Sequence, residues 1–538
     1  MNPSLRYMTR NVVFFPIYPV LMAIAIPLDT YLSNLAVFVF EDAVRSVIVA
    51  ILISISLTVL FFVLTRRIHA SALLSGTIIL VIWAPGLRNF MTLVIMSGPF
   101  LAAVAVYIFK NRRAATLVMN VFTIAFFAAP AYSFVENLAW ELKHSDGYIP
   151  YSQFNKIEIQ RESVIDRRPT IVHIVLDGYA SDAVLQEIFA HSNEPFSRSL
   201  EALGFVVFKH PHTPYSQTTH ALASVFSGAY LDANEPPLNL EQSHRLRMAM
   251  NNIIIRGPLR RVLQNMDYRF LFTPTGLSGY RYDRSDVVIV PHSSRFRLSH
   301  FETFLLSRTA LKYLASSMLP TDLEDHYSKA HIALLKNALE LVHPREADGP
   351  LFIFQHILAP HPPFVIDRVG NLTRRWLANF ADGVDGDDAT RGLPALQLEY
   401  QRGYLEKLRY VNGAVAARVR DVIEKESGPL VVVIHGDHGG GSMYYQNDAE
   451  RTCFNERFHP YLAVYASDPE VRRLLAASAD KPFNLVNLYR VVLDGLFGLD
   501  LGRLPDRRFF VSWLTPEVPQ DLTDEQLHAP CPQLTALR

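Results

Sequence analysis

The sequence predicts an α/β protein, a doubly wound and mostly parallel sheet, preceded by an α-helical membrane domain of about five transmembrane helices. Three observations carry this prediction. Nearly all the long uncharged stretches of the 538 residues fall before residue 135. Beyond residue 168, short apolar runs alternate with helical stretches, the pattern of βαβ units whose parallel sheet is covered on both faces. Two of those runs lead into an aspartate beside glycine, at Asp177-Gly178 and at Gly436-Asp437-His438-Gly439, as strands do where an open sheet gathers ligands at its carboxyl edge.

The membrane domain comes first in the chain. A helical span needs about 20 apolar residues, and Val12–Leu28, Val47–Leu64, Ala70–Trp83, Met91–Phe109 and Ala115–Phe134 are the candidates. The third is short before Pro85 and also suits a re-entrant or interfacial segment. The first also reads as a signal peptide, with Arg6 and Arg10 ahead of the apolar run and Ala23-Ile-Ala25 as a cleavage site. A retained helix is favoured, because further spans follow directly. Arg6 and Arg10, then Arg66, Arg67 and His69, then Lys110, Arg112 and Arg113 flank these spans, and the positive-inside rule puts all three groups in the cytoplasm. The near-neutral connection from Asp29 to Arg45, with Glu41 and Asp42, suits the outer face. Five spans then place everything after Phe134 outside. The expected organisation is a transmembrane domain over 1–135, a connecting segment over 136–168, an extracytoplasmic domain over 169–515 and a Pro-rich arm over 516–538, packed on the surface or loose.

Composition narrows the partners. Lys plus Arg and Asp plus Glu each number 51, so net charge makes no electrostatic case for a nucleic acid. Cys453 and Cys531 both lie in the outer portion, where a disulfide is permitted; a pair and two separate thiols both remain open. The expected strands there are Thr170–Leu176, Phe205–Phe208, Arg269–Phe272, Leu351–Phe354, Leu430–Ile434 and Tyr461–Val464. The run Asp382–Asp388 reads as an acidic loop without the ligand spacing of an EF-hand.

The chemistry lies at the ends of these elements. Leu430-Val-Val-Val-Ile-His-Gly-Asp-His-Gly-Gly-Gly441 is an apolar strand running into a carboxylate and an imidazole among glycines. Taken alone, Asp437 and His438 fit a strand-to-loop turn as well as a pair of metal ligands. Thr170-Ile-Val-His-Ile-Val-Leu-Asp-Gly-Tyr179 supplies a third candidate ligand, Asp177, at the same sheet edge. In Pro214-Tyr-Ser-Gln-Thr-Thr-His-Ala-Leu-Ala-Ser-Val-Phe-Ser-Gly228, a polar cluster opens a small-residue helix closed by glycine. A hydroxyl there can cap the helix, or act as a nucleophile whose phosphoryl substrate meets the free amides.

These three blocks, in this order, resemble the alkaline phosphatase and sulfatase superfamily over about Pro169 to Val464. The resemblance implies that Asp177, Thr218, Asp437 and His438 hold a catalytic divalent metal, which zinc, manganese or magnesium would all suit. Thr218 lies ten residues before Gly228, the interval between nucleophile and glycine in the sulfatase signature, which selects Thr218 over Thr219 and Ser216. Sulfatases need Cys or Ser followed by Pro and Arg two and four residues on; Thr218, His220 and Leu222 stand there, which disfavours sulfatase activity. With a threonine and preceding spans, the chain looks more like the membrane phosphoethanolamine and phosphoglycerol transferases of bacterial envelopes, including lipoteichoic acid synthases. In Phe354-Gln-His-Ile-Leu-Ala-Pro-His-Pro-Pro-Phe364, the resemblance makes His361 a phosphate contact and His356 a second one. Arg457 suits an anion by its bidentate fork, and His459 is a further candidate ligand or contact. His210 and His212 match nothing and are expected on the surface.

The implied reaction passes a phosphoryl-linked headgroup from a membrane phospholipid to Thr218, and from there to a glycan or glycolipid, on the outer face of a bacterial inner membrane. A phosphodiesterase or phosphatase of the same fold is the nearest alternative, since loops rather than the metal site select the acceptor. A catalytically silent membrane sensor or assembly protein is the alternative from another class.

Overall fold

The computed structural model describes residues 15–35, 38, 40–83, 104, 112–143, 152–157, 168–231, 243–273, 280, 286–288, 298–311, 323–339, 349–373 and 384–531. Contacts divide the chain into two compact units. One is Met1–Lys143 with Ser294–Tyr327, and the other is His144–Ser293 with Ser328–Arg538.

The first unit is helical. It contains α1 (Tyr18–Leu32), α2 (Phe40–Thr65), α3 (Ile68–Trp83) and α4 (Arg112–Lys143). The start of α1 is capped from far along the chain. The amides of Ile17 and Tyr18 donate to Asn120 Oδ1 at 3.2 and 3.3 Å, and Asn120 Nδ2 donates to the Phe15 carbonyl at 2.7 Å. One polar side chain on α4 thereby satisfies groups that a helix end leaves without partners. Along α2 the outward face is almost wholly apolar, with Leu52 at 57% and Leu64 at 70% exposure, a surface that calls for lipid or a protein partner.

Two helices, not five, are long and apolar enough to cross a membrane among the described residues: Phe40–Thr65 and Arg112–Trp140. They contain the expected spans Val47–Leu64 and Ala115–Phe134. The expected spans Val12–Leu28 and Ala70–Trp83 correspond to α1 and α3, apolar helices of 15 and 16 residues, short of the roughly 20 that a span requires. Apolar content identified these segments, but the lengths of the helices decide the count. Met91–Phe109, apart from Val104, lies outside the described residues.

The second unit holds a seven-stranded sheet: β1 (Thr170–Leu176), β2 (Val206–Val207), β3 (Arg269–Thr273), β4 (Val287–Val288), β5 (Leu351–Ile357), β6 (Leu430–His435) and β7 (Leu462–Ala466), in the order β2-β7-β6-β1-β5-β3-β4. β6, β1, β5, β3 and β4 run parallel, whereas β7 is antiparallel to both β6 and β2. Alternation along the central strands feeds two cores. Ile171, Val175, Val431 and Val433 face one, and Val172, Ile174, Leu176, Val432 and Ile434 face the other, as the twofold period of a strand requires. Helix α5 (Thr218–Ser227) covers the first face through Leu222, Val225 and Phe226. Helix α6 (Pro394–Lys425) covers the second with Tyr404, Leu408, Val411, Val415, Val419 and Val422, a stripe at helical spacing. Both faces being covered, β1 and β6 are apolar nearly throughout.

Two imidazoles interrupt the first core. The Tyr489 hydroxyl donates to His173 Nδ1 at 2.6 Å, His173 Nε2 donates to His435 Nε2 at 2.7 Å, and His435 Nδ1 donates to the Gly436 carbonyl at 2.7 Å. This polarity follows from the last acceptor, a carbonyl, which can only receive a proton. Burial is the largest influence on His435 and pulls it down to about 4, in keeping with a neutral relay.

Cys453 and Cys531 form a disulfide, with Cα atoms 5.2 Å apart. It pins the C-terminal arm, whose Leu522 and Leu527 bury against Tyr444, Phe454, Phe458 and Phe510. The bridge spans 78 residues, so Cys531→Ser should lower the stability of the second unit by about 2–5 kcal/mol. Thermal unfolding under non-reducing conditions checks this; an unchanged midpoint would show that the arm is held by its apolar contacts alone.

Candidate active site

Three adjacent parallel strands bring the site together at their carboxyl ends. β1 delivers Asp177, its neighbour β6 delivers Asp437 and His438, and on the other side β5 carries His356, which pairs in register with Val175. The glycines after β6 allow close approach: a Cβ on Gly439 would lie 1.9 Å from the Glu456 carbonyl, and one on Gly441 would lie 2.3 Å from Asp385 Oδ1. The turn itself is tied down by the Gly436 amide, which donates to the Tyr461 carbonyl at 2.9 Å, and by Thr213 Oγ1, which donates to the Asp437 carbonyl at 2.5 Å.

Each buried carboxylate has one oxygen engaged and one oxygen open. Asp177 Oδ2 accepts from His356 Nε2 at 3.1 Å, and Asp437 Oδ1 accepts from the Gly178 amide at 3.0 Å. Asp177 Oδ1 and Asp437 Oδ2 are buried with no hydrogen-bond partner. His438 donates from Nδ1 to the Gly439 carbonyl at 2.9 Å, so its Nε2 is an acceptor, and Arg457 Nη2 faces it at 3.0 Å. His438 Nε2 lies 3.2 Å from an Asp437 oxygen, 3.8 Å from Asp177 Oδ1 and 3.1 Å from Thr218 Oγ1. The partnerless oxygens of Asp177 and Asp437 belong to two carboxylates packed close together, and such like charges repel one another unless a cation lies between them. Burial is the largest influence on Asp177 and by itself would raise its carboxyl, yet the imidazoles of His361, His356 and His438 hold it below the usual carboxylate range.

A buried group of Asp177, His356 and Asp437 also has ligand atoms spaced to hold a metal ion. His356 was expected to touch substrate; its bond to Asp177 places it at the carboxylates instead. Its Nε2 proton points at Asp177, and its Nδ1 accepts from the Tyr280 hydroxyl at 3.1 Å, which is the arrangement of a residue that orients a ligand. The open oxygens of Asp177 and Asp437 therefore fit a divalent cation, and His438 and Thr218 stand beside them as the further ligands expected from the sequence.

Of the three hydroxyls weighed from sequence, Thr218 alone reaches His438. Ser216 Oγ accepts from the Val511 amide at 2.8 Å, and Thr219 Oγ1 lies 3.4 Å from His220. Thr218 opens α5, where the first-turn amides have no partners within the helix. Arg457 is buried beside it: Nη2 donates to His438 Nε2 at 3.0 Å, Nη1 to Asp385 at 2.8 Å and Nε to the Ser216 carbonyl at 2.8 Å. His361 donates from Nδ1 to the Pro362 carbonyl and lies 3.7 Å from Asp385. His459 is not brought to this group; it packs edge to face on His212 with ring centres 4.9 Å apart and donates to the Asn455 carbonyl. His210 is exposed as expected, but His212 is buried against Asp506 at 2.6 Å.

Three further residues shape the site. Asp385, from the run read as an acidic loop, is buried between Arg457 and Tyr400. Burial would lift it, but His361 and Arg457 bring it to about 2. Glu456 accepts the amides of Ser442 and Met443, and burial raises it to about 7. Lys407 on α6 donates to the carbonyls of Leu358, His361 and Pro363 at 2.7, 2.6 and 3.3 Å. Burial lowers it to about 7, yet the three carbonyls, with His331 Nε2 a further neighbour at 3.2 Å, offer enough acceptors for the protons of an ammonium.

The family model for sulfatases matches residues 169–496, more than half of the chain. The chain belongs to the sulfatase family. This sulfatase-family protein thereby falls in the alkaline phosphatase and sulfatase superfamily. Similar solved structures include the periplasmic domain of the Escherichia coli protein EptC in complex with zinc, at 14% identity and a TM-score of 0.41, covering 66% of this chain and 92% of that one. Another is the integral membrane lipooligosaccharide phosphoethanolamine transferase A of Neisseria meningitidis, at 12% identity and a TM-score of 0.36, covering 91% and 78%. A third is a phosphonate monoester hydrolase of Agrobacterium radiobacter, at 12% identity and a TM-score of 0.34, covering 64% and 80%. No curated protein matches the chain by sequence.

Two outcomes follow for this sulfatase-family site. Lys407→Met should detach the loop carrying His361 and reduce turnover of a simple phosphodiester by about tenfold or more; unchanged turnover with unchanged stability would remove Lys407 from the site. Glu456 binds its proton more tightly folded than unfolded, so wild-type stability declines as pH rises between the ordinary glutamate value and about 7. Any stability deficit of Glu456→Gln should therefore shrink from about pH 5 to about pH 8. Parallel unfolding profiles would contradict this.

Proposed function

We propose that the protein is a metal-dependent transferase that moves a phosphoryl-linked headgroup, of phosphoethanolamine or phosphoglycerol type, from a membrane phospholipid to an envelope glycan or glycolipid. The observation that carries this reading is Thr218 Oγ1 at 3.1 Å from His438 Nε2, at the amino end of a helix, in a site where Asp177 and Asp437 each keep one open carboxylate oxygen. Bound there, a divalent cation of the zinc, manganese or magnesium class supplies positive charge that lowers the threonine hydroxyl pKa and neutralises phosphate oxygens.

The chain's own residues do the rest. The free amides opening α5 receive phosphate oxygens. Arg457, fixed by Asp385 and the Ser216 carbonyl, sets positive charge beside the reacting group. Thr218 loses its proton to solvent and attacks phosphorus; the new Oγ1–P bond forms while the bond from phosphorus to the lipid alcohol breaks, with His361 starting protonated at Nε2. His361 contacts the phosphate and delivers a proton to that alcohol. The acceptor hydroxyl then attacks the phosphothreonine and gives its proton to His361 as the Oγ1–P bond breaks, and the Thr218 alkoxide regains its proton from solvent.

Placement outside the cytoplasm rests on α4. Lys110, Arg112 and Arg113 stand at its start and Glu136 and Glu141 near its end, so the positive-inside rule directs the chain that follows to the outer face of a bacterial inner membrane. A lipid donor suits a site held near headgroups.

Intact-mass analysis of the full chain incubated with membrane phospholipids tests the reaction. The wild type should carry an adduct of headgroup mass that Thr218→Ala lacks, and Thr218→Ala should lower transfer by about a thousandfold or more. An adduct in both proteins would sink the assignment of Thr218. Release of free headgroup phosphate with no acceptor product would favour the hydrolase. Absence of both, with metal retained, would favour a silent sensor. Chelation should abolish transfer, and adding back zinc, manganese or magnesium should restore it; chelator-insensitive transfer would exclude the metal.

A further inference from the structure

Residues Ser294–Tyr327 lie within the stretch matched by the sulfatase family model, yet they pack in the helical first unit. The helix His300–Ser307 begins with a capping box in which Ser299 and Glu302 bond each other's backbone amides. Three contacts seat it. Phe301 and Phe304 meet Phe38 at 5.1 and 5.6 Å between ring centres, the Ala310 amide donates to the Ile82 carbonyl at 2.8 Å, and Glu302 forms a two-point ion pair with Arg45.

Beneath this helix is a cavity of about 360 Å³, within the size that small-molecule sites occupy. Its walls are almost entirely apolar, with Val49, Ile53, Ile79, Leu305 and Leu306 among them. The polar exceptions in the wall include Arg45, Glu302 and Ser46. Ser46 is 7% exposed, and its hydroxyl has no hydrogen-bond partner, so it is a buried polar group unsatisfied by the protein itself. Arg45 and Ser46 lie in the first turns of α2, and the lining runs onward along α2 through Val49 to Ile53. The cavity is thus polar at one end of α2 and apolar deeper in.

We propose that this cavity binds one acyl chain of a zwitterionic phospholipid, with the headgroup at Arg45, Glu302 and Ser46. The apolar walls match the chain. One cation and one anion match a headgroup that carries one of each, the phosphate at the Arg45 guanidinium and the ammonium at the Glu302 carboxylate. The free Ser46 hydroxyl is placed to donate to a phosphate or ester oxygen. Arg45 is half exposed, with 51% of its side chain accessible, so a headgroup can reach it; phosphate and ammonium then bridge the Arg45–Glu302 pair, while the contacts of Phe301, Phe304 and Ala310 keep the helix seated. A bound lipid at this place deepens the proposed transferase reading by naming the class of donor the first unit retains, and it rests on that unit being embedded in a membrane.

The test uses the full chain in nanodiscs containing a phosphatidylethanolamine with a photoreactive acyl chain, read by peptide mapping. Crosslinks should concentrate on Val49–Ile53 and on Leu305–Leu306, and Ala50→Trp, which fills the cavity, should lower them by roughly tenfold, while labelling on the outward face at Val63 and Leu64 is unchanged. If Ala50→Trp does not fold, Ala50→Leu gives a smaller fall in the same direction. Equal labelling at both places, unaffected by either variant, would mean ordinary boundary lipid and would overturn the proposal. Replacing the probe by its phosphatidylglycerol counterpart should weaken cavity labelling; stronger labelling by the anionic lipid would overturn the zwitterionic assignment. Because the readout is crosslinking, it succeeds or fails independently of the Thr218 adduct.

Discussion

The second unit is organised around lone pairs held close together in a buried space. Asp177 Oδ1, Asp437 Oδ2, His438 Nε2 and Thr218 Oγ1 gather in one place; Arg457 Nη2 donates to His438 Nε2, but the two carboxylate oxygens have no donor. Open carboxylate oxygens in a low-dielectric interior are costly, so the surrounding fold must hold them against that cost. It does so by engaging the other oxygen of each carboxylate, Asp177 through His356 and Asp437 through the Gly178 amide. Each acid is thereby oriented with a single free oxygen. The same economy of donors leaves His438 neutral and presenting Nε2, because its Nδ1 proton is committed to a carbonyl.

Support for this arrangement extends inward and outward. Inward, Tyr489, His173 and His435 form a neutral relay ending on the Gly436 carbonyl, immediately before Asp437. Outward, Arg457 and Asp385 make a buried ion pair at 2.8 Å, and Asp385 also faces His361. Arg457 thus links the amino end of α5, through the Ser216 carbonyl, to His438. A guanidinium held on three sides keeps its geometry while a substrate phosphate arrives, which is the form of preorganisation that electrostatic catalysis needs.

Much of this was legible in the sequence, and the reasons are local. A strand that is apolar on both faces and ends in Asp-Gly or Gly-Asp-His states both its burial and its exit, so Asp177, Asp437 and His438 could be placed at one sheet edge before any coordinates. Thr218 followed from its interval to the glycine that closes α5. Asp385 was not legible as a site residue, because its approach depends on the missing Cβ at Gly441, a contact between segments far apart in the chain. Lys407 sits in the middle of a long helix, where one cation among many carries no signal. The role of His356 depends on register, since it faces Asp177 only because β5 pairs His356 with Val175. Pairing of Cys453 with Cys531 likewise needed the arm to fold back onto the Phe454–Phe458 segment.

For a different reason, the helical unit shows fewer candidate spans among its described residues than its sequence reading expected. Hydropathy records how apolar a stretch is, but a helix crosses a bilayer only if its length matches the hydrocarbon thickness. α1 and α3 are apolar and too short. Among the described residues, two long apolar helices and two short ones leave apolar surface exposed, and the short helix His300–Ser307 covers part of it. That cover is fastened by an ion pair, Arg45 with Glu302, which is worth most where water is scarce. A segment from the middle of the family's sequence thus completes the packing of helices near the amino terminus, which makes the two ends of this unit's chain interdependent for stability.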